Sequence, residues 1–278
     1  MDIMKSILLK SQEEINPAKK GDYLKNGLLY CGVCGKPKQY HLKLQFIDRI
    51  VPAICDCQKK AIEEEKQQIA AEAKKIAIQR LKESSMMASK FYSASFLGYQ
   101  ITDGNVHAHK VALSYVHNFD AMQKQNQGLI FYGTVGTGKS YTAACIANAL
   151  LEKQVSVVMT SFVKLLQDIQ SNSFDEGHIL SALNSAALLI LDDLGAERST
   201  DYALEKVYNV IDSRVRANRP MILTTNLTMG EMTNPQDIRY SRIYDRIFEC
   251  CYPVEVTGQS FRKAAAAARF EEMRKLVE

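Results

Sequence analysis

The sequence predicts an α/β protein built on a mostly parallel central sheet, preceded by a small cysteine-bearing region and a helical linker. Three observations point there. A glycine-rich loop at 133–140 follows an apolar run and opens a helical stretch, strand-like and helical stretches alternate beyond it, and four of the seven cysteines fall before residue 60. A 278-residue chain that is 46% hydrophobic can fill one substantial core and still carry an appendage.

The chain opens Met1-Asp-Ile-Met-Lys-Ser-Ile-Leu-Leu-Lys and runs into charged positions rather than a small-residue cleavage site. No apolar run reaches the roughly 18 residues that a membrane span needs. A cytoplasmic protein with neither signal peptide nor membrane span is therefore expected. The net charge of +4 is mild, so nucleic-acid contact would rest on local patches rather than overall composition.

Next come Cys31-Gly-Val-Cys34-Gly and Cys55-Asp-Cys57. A Cys-x-x-Cys-Gly turn points two thiolates at one centre and a second close pair completes a tetrahedron, so Cys31, Cys34, Cys55 and Cys57 are expected to hold a structural Zn²⁺. His41 offers a substitute for one ligand, and a redox pair or four reduced, buried thiols compete. A region this short and polar has little core, and metal binding would supply much of its folding energy. Cys145, Cys250 and Cys251 fall in a helical stretch and an apolar strand-like run, where ordinary burial is expected.

From Gln58 to Glu83 the chain has no Gly or Pro and is rich in Ala, Glu, Lys and Gln at mutually supporting helical spacings. Ile62, Ile69, Ile76 and Leu81 are too sparse for a coiled coil. A solvated helical linker is expected, with a partner-binding helix as the alternative. The divisions that follow are a zinc-binding domain at 1–60, a linker at 61–88 and a nucleotide-binding domain at 89–278, opening on the aromatic segment Phe91 to Tyr99.

Gly133-Thr-Val-Gly136-Thr-Gly138-Lys139-Ser140 fits the phosphate-binding Gly-x-x-x-x-Gly-Lys-Ser/Thr loop after Gly128-Leu-Ile-Phe-Tyr132. The glycines let backbone N–H groups of Gly133, Thr134, Gly136, Thr137 and Gly138 turn toward a β-phosphate, and the helix that begins near Lys139 and Tyr141 adds its positive end. Lys139 supplies a point charge to the β/γ-phosphates and the Ser140 hydroxyl a ligand for Mg²⁺. A helical stretch at 141–153, a strand at 155–160 and a helix at 162–170 follow. Ala186-Ala-Leu-Leu-Ile-Leu-Asp192-Asp193 then reads as a buried strand with carboxylates at its C-terminal edge, where such sheets bind ligands. Asp192 is expected to hold Mg²⁺, and Asp193 to orient and deprotonate the attacking water. The strand Pro220-Met-Ile-Leu-Thr-Thr225 ends in Asn226, whose amide is a polar sensor for the γ-phosphate or the water.

Leu191-Asp-Asp-Leu-Gly-Ala-Glu-Arg198, Val207-Tyr-Asn-Val-Ile-Asp-Ser-Arg214 and Leu223-Thr-Thr-Asn-Leu227 together resemble the AAA+ ATPases of the DnaC/DnaI helicase-loader family, with the transposition helper IstB as near relative. The resemblance covers roughly residues 90 to 265. It implies an AAA+ fold, ATP as the nucleotide, and an arginine finger within Tyr240-Ser-Arg242-Ile-Tyr-Asp-Arg246: Arg246 by register, Arg242 as alternate. Arg262, in Gly258-Gln-Ser-Phe-Arg262, matches a late motif that implies a second sensor in cis.

The resemblance further implies a DnaB-type replicative helicase and single-stranded DNA as partners, and self-association into an ATP-bridged oligomer. Most AAA+ proteins carry Glu at the position of Asp193, and the shorter carboxylate implies slow turnover. The cysteine-bearing N-terminus resembles DnaI-like and phage-encoded loaders and marks the helicase-docking part. Phe162 and Lys164 are set to stack on a base and meet a phosphate, unless Phe162, Leu165 and Leu166 face the sheet. An IstB-like transposition helper and an ATP-binding adaptor or antagonist of replication are the competing functions.

Overall fold

The computed structural model describes residues 18–171, 176–196 and 200–278. The chain divides between Lys75 and Ile76 into two compact units.

The N-terminal unit is made of two hairpins and most of a helix. Strand β1 (Tyr23–Lys25) pairs antiparallel with β2 (Leu28–Tyr30) across Asn26-Gly27, both at positive φ (52° and 74°), the geometry of a two-residue hairpin turn. Tyr23 and Tyr30 face each other in register and stack at 5.8 Å. Strand β3 (Gln39–Leu44) pairs antiparallel with β4 (Ile47–Pro52). Helix α1 (Asp56–Ser84) follows, buries no residue and runs across the division between the units. Cys55 caps it: the Gln58 side chain accepts the Cys55 N–H at 3.2 Å, so the second cysteine pair lies at a helix N-terminus.

The second unit is a doubly wound sheet. A short 3₁₀ turn (Ser89–Phe91) leads to α2 (Val106–His117), α3 (Phe119–Lys124), β5 (Gly128–Tyr132) and α4 (Lys139–Glu152). Then come β6 (Val157–Ser161), α5 (Phe162–Gln170), α6 (Glu176–Ser185), β7 (Leu188–Leu194) and α7 (Asp201–Arg216). The rest comprises β8 (Met221–Thr225), α8 (Met229–Thr233), α9 (Ile238–Cys250), β9 (Cys251–Glu255) and α10 (Phe261–Val277). The strands lie parallel in the order β6-β7-β8-β5-β9. Strand β5 sits between β8 and β9, and its side chains alternate between two cores. Leu129 and Phe131 pack with Ala143, Ile146 and Leu150 of α4, while Ile130 packs with Leu165, Val207, Ile211 and Ile247 on the other face.

Phe162 is 1% exposed and lies in that second core with Leu165, which settles the α5 alternative in favour of packing against the sheet. An aromatic ring so placed has no face to offer a base. Cys145, Cys250 and Cys251 are buried and form no disulfide, as the apolar runs around them predict.

Arg214 is a buried charge that nothing in the hydrophobic pattern foretells. Its guanidinium is 0% exposed and donates to the carbonyls of Leu183 (3.1 Å), Ala186 (2.9 Å), Ala187 (3.2 Å) and Pro220 (2.9 Å). It thereby joins the end of α6 to the starts of β7 and β8 and is the main donor to these buried carbonyls, with the Leu189 N–H and Arg219 as weaker second donors to Pro220 and Ala186 at 3.4 Å each.

Candidate functional site

The loop after β5 follows the path a phosphate cradle requires. Gly133, Gly136 and Gly138 all take positive φ (121°, 82° and 100°), and helix α4 starts at Lys139. At Gly136 the requirement is also steric, since a Cβ there would lie 2.1 Å from the Ser260 hydroxyl. The Thr137 hydroxyl sits 2.9 Å from the Thr134 carbonyl and 3.2 Å from that of Val256, which anchors the loop beside the end of β9. Lys139 bends back onto its own loop, with Nζ donating to the Gly133 (2.8 Å) and Thr134 (2.7 Å) carbonyls. Burial lowers its pKa, and Arg262 adds to that, whereas Asp193 and Asp192 act in the opposite direction.

Strand β7 breaks its ladder with β8 between Leu191 and Leu194, and the two acids occupy the break. Asp193 takes the left-handed conformation at φ 62°, which costs a non-glycine residue about 1–3 kcal/mol. Side chains of β8 and the following residue take over from the backbone. The Thr224 hydroxyl accepts the Asp193 N–H (3.0 Å) and donates to Asp192 Oδ1 (2.6 Å). Thr225 donates to the Leu194 carbonyl (2.8 Å), and Asn226 Nδ2 to Asp193 Oδ1 (3.2 Å).

A cavity of about 480 Å³ opens at this sheet edge, lined by Lys139, Ser140, Tyr141, Asp193, Asn226 and Arg262 among others. That size suits a nucleotide-sized ligand. Gly136 and Gly138 also face it, while Gly133, Thr134, Thr137 and Asp192 are not among its lining residues. The segment Phe91 to Tyr99, read from sequence only as an aromatic lead-in, forms part of the wall. It is fixed to α4 by the Asn148 amide, which donates to the Phe91 and Ala94 carbonyls at 2.8 Å each, and by Tyr99 Oη, 2.7 Å from Thr142 Oγ1. Ser140 lies in the first turn of α4 and Asp192 near the C-terminal end of β7, and both are hard oxygen donors of the kind that suits Mg²⁺.

The two candidate finger arginines differ. Arg246 is not among the residues lining the cavity and is engaged within its own chain: Nε lies 3.1 Å from Asp212 and Nη1 2.8 Å from Glu249. The Glu249 bond and one to Tyr208 raise its already high pKa. The Arg242 side chain is exposed and forms no ion pair among the described residues.

The sequence profile of the IstB-like ATP binding protein family matches residues 58–268, well over half of the chain. The chain belongs to this family. Replicative helicase loader DnaI of Bacillus subtilis (strain 168) is 26% identical over 203 residues, which are 66% of this chain and 65% of that protein. Replicative helicase loader DnaC of Escherichia coli (strain K12) is 29% identical over 160 residues, 56% of this chain and 63% of that one. The chain thus spans just under two thirds of the length of these relatives. A crystal structure of DnaI matches with a TM-score of 0.54 at 28% identity, covering 63% of this chain and 93% of that chain. The DnaC helicase loader shares the fold, at a TM-score of 0.53 and 22% identity over 61% of this chain and 100% of that one. The parallel sheet with its phosphate loop is the AAA+ core that the resemblance implies.

This IstB-like chain also has a cysteine centre ahead of the segment that the family profile matches. The sulfurs of Cys31, Cys34 and Cys55 lie within 4.8 Å of one another, and the Cys57 thiol bonds to Cys34 beside them. The backbone N–H of Cys57, followed by that of Lys36, favours the Cys34 thiolate and lowers its pKa to about 6, while the bond to that thiolate pushes Cys57 up to about 11. Four sulfurs so gathered are a donor set that fits Zn²⁺. His41 is elsewhere, hydrogen-bonded to Asp48 across the β3–β4 hairpin.

Two residues that the sequence reading missed brace this centre. Asp22 accepts from Lys38 Nζ (2.6 Å), from the Lys19 N–H (2.8 Å) and from the N–H of Gly32, inside the Cys-x-x-Cys turn, at 3.1 Å. Lys38 first, then the two backbone donors, lower the Asp22 pKa to about 2. A charged pair with side chains only 2% and 5% exposed is the signal, but nothing in their spacing reveals it.

Proposed function

We propose that this chain is an ATP-dependent loader that binds a DnaB-type replicative helicase and places it on single-stranded DNA in the cytoplasm. The observation that carries the ATPase part is the convergence of Lys139, Ser140, Asp193, Asn226 and Arg262 on one cavity beside the phosphate loop. The loading part rests on the two helicase loaders among its relatives.

ATP enters as substrate and leaves as ADP and phosphate. The N–H groups of the loop and of the first turn of α4 receive the β-phosphate, and Lys139 exchanges its two loop carbonyls for phosphate oxygens. Ser140 and Asp192 hold Mg²⁺, which offsets charge on the phosphates when bound. Asp193 takes a proton from the attacking water, and Asn226, bonded to that carboxylate, fixes where the pair points. Arg262 meets the γ-phosphate in cis. Arg246 from a neighbouring subunit completes the site, with Arg242 as alternate; insertion requires Arg246 to exchange Asp212 and Glu249 for phosphate. Turnover is slow, because aspartate reaches less far than glutamate, and assembly or DNA stimulates it.

Residues 1–60 form the zinc-bearing docking domain, 61–88 the helical linker and 89–278 the ATPase domain. Exposed apolar side chains on the zinc-bearing unit, Leu24, Val33 and Phe46, support docking there. Zinc analysis of the purified protein should give one equivalent per chain; under about half an equivalent contradicts a Cys₄ site.

Loading is tested by incubating the full chain with a DnaB-type helicase and closed circular single-stranded DNA, with and without ATP. Loading raises the amount of helicase retained on the circle with ATP present. Hydrolysis unaffected by single-stranded DNA, with no helicase retained, favours the adaptor reading. Binding to a transposase and duplex DNA instead favours an IstB-like transposition helper.

A further inference from the structure

Among the described residues, the hydroxyl of Thr224 is the one group hydrogen-bonded to both acids at the end of β7. Thr224 is 1% exposed and faces the break in the β7–β8 ladder. On either side, Leu191 pairs with Leu223 and Leu194 with Thr225, so two residues of β7 stand opposite one of β8. The Asp193 N–H, turned out of the ladder at φ 62°, would lack a partner there without the Thr224 oxygen, which accepts it at 3.0 Å. The hydroxyl proton is then committed in one direction. It goes to Asp192 Oδ1 at 2.6 Å, short as bonds to ionised carboxylates are.

From this geometry we infer that Thr224 is the positioning residue of the Mg²⁺ site. One hydroxyl fixes the rotation of the Asp192 carboxylate and the backbone conformation that presents Asp193 to the cavity. The inference rests on the nucleotide site proposed above and adds a residue to it. Thr224 does not itself touch substrate, and it acts only through the two aspartates. Serine keeps both bonds, whereas valine keeps the shape and loses both.

The test reads Mg²⁺ rather than turnover. Affinity of the full chain for a fluorescent ATP analogue is titrated without Mg²⁺ and against rising Mg²⁺ for wild type, Thr224→Val and Thr224→Ser. Loss of an outer partner of a metal ligand typically costs about 10- to 100-fold in metal affinity. Thr224→Val should therefore need that much more Mg²⁺ to gain affinity, bind the analogue like wild type without Mg²⁺, and Thr224→Ser should restore the Mg²⁺ response. Equal Mg²⁺ dependence in wild type and Thr224→Val overturns the inference. So does an equal loss in Thr224→Ser, or a loss in Thr224→Val of metal-free affinity as well, which would mark a purely structural hydroxyl. A wild type whose affinity ignores Mg²⁺ would instead overturn the Asp192 site beneath it.

Discussion

Lys139 spends its charge on two carbonyls of its own loop, so a nucleotide must offer better partners than Gly133 and Thr134 do. Phosphate oxygens are such partners, since hydrogen bonds between charged groups contribute about 1.5–3 kcal/mol. Lys139→Ala should therefore weaken ATP binding by about 10- to 100-fold, measured by calorimetry, while its thermal midpoint stays close to wild type. An unchanged ATP affinity would remove the lysine from the site. Lys139, Ser140 and Asp193 were legible in the sequence because the spacing of a phosphate loop and two acids after a buried run have few other uses. Thr224 was not, because a hydroxyl acquires its role only where the β7 ladder breaks, and a break has no spacing of its own.

At the scale of elements, two buried charges hold what apolar packing alone would leave loose. Arg214 joins α6, β7 and β8 through carbonyls with no carboxylate partner. Arg214→Met should leave several buried carbonyls without donors and destabilise the chain by about 3 kcal/mol in denaturant unfolding, since each such group costs about 1–3 kcal/mol. A loss below about 0.5 kcal/mol would show that those carbonyls find other donors.

Asp22 gives the hairpin unit a pH dependence of known sign. Its pKa in the folded chain, about 2, lies below the ordinary 3.8, so its contribution is complete above 3.8 and is lost as pH falls through 2. At pH 7, where Asp22 is ionised, Asp22→Asn should therefore speed amide exchange at Gly32 and in the hairpins of the zinc-loaded chain; unchanged exchange would remove the Asp22–Lys38 pair from what holds this unit together. The strands at β7 and β8 and the helix at α1 could be read ahead because runs of apolar or helix-forming residues mark them. The hairpins at 23–30 and 39–52 could not, since they are short and largely exposed and form no apolar core whose pattern would mark them.

For the whole molecule, the nucleotide site and the cysteine centre belong to separate units of one chain, and the family profile reaches only the first. No described helix is long and apolar enough to cross a membrane, and Leu24, Val33 and Phe46 leave apolar surface exposed on the N-terminal unit. The account stands or falls on what that surface meets. Co-purification of the full chain with a DnaB-type helicase, with and without ATP, measures it most directly. The account predicts a stable complex with wild type that Cys31→Ser together with Cys34→Ser abolishes. It is contradicted if wild type captures no helicase in either condition.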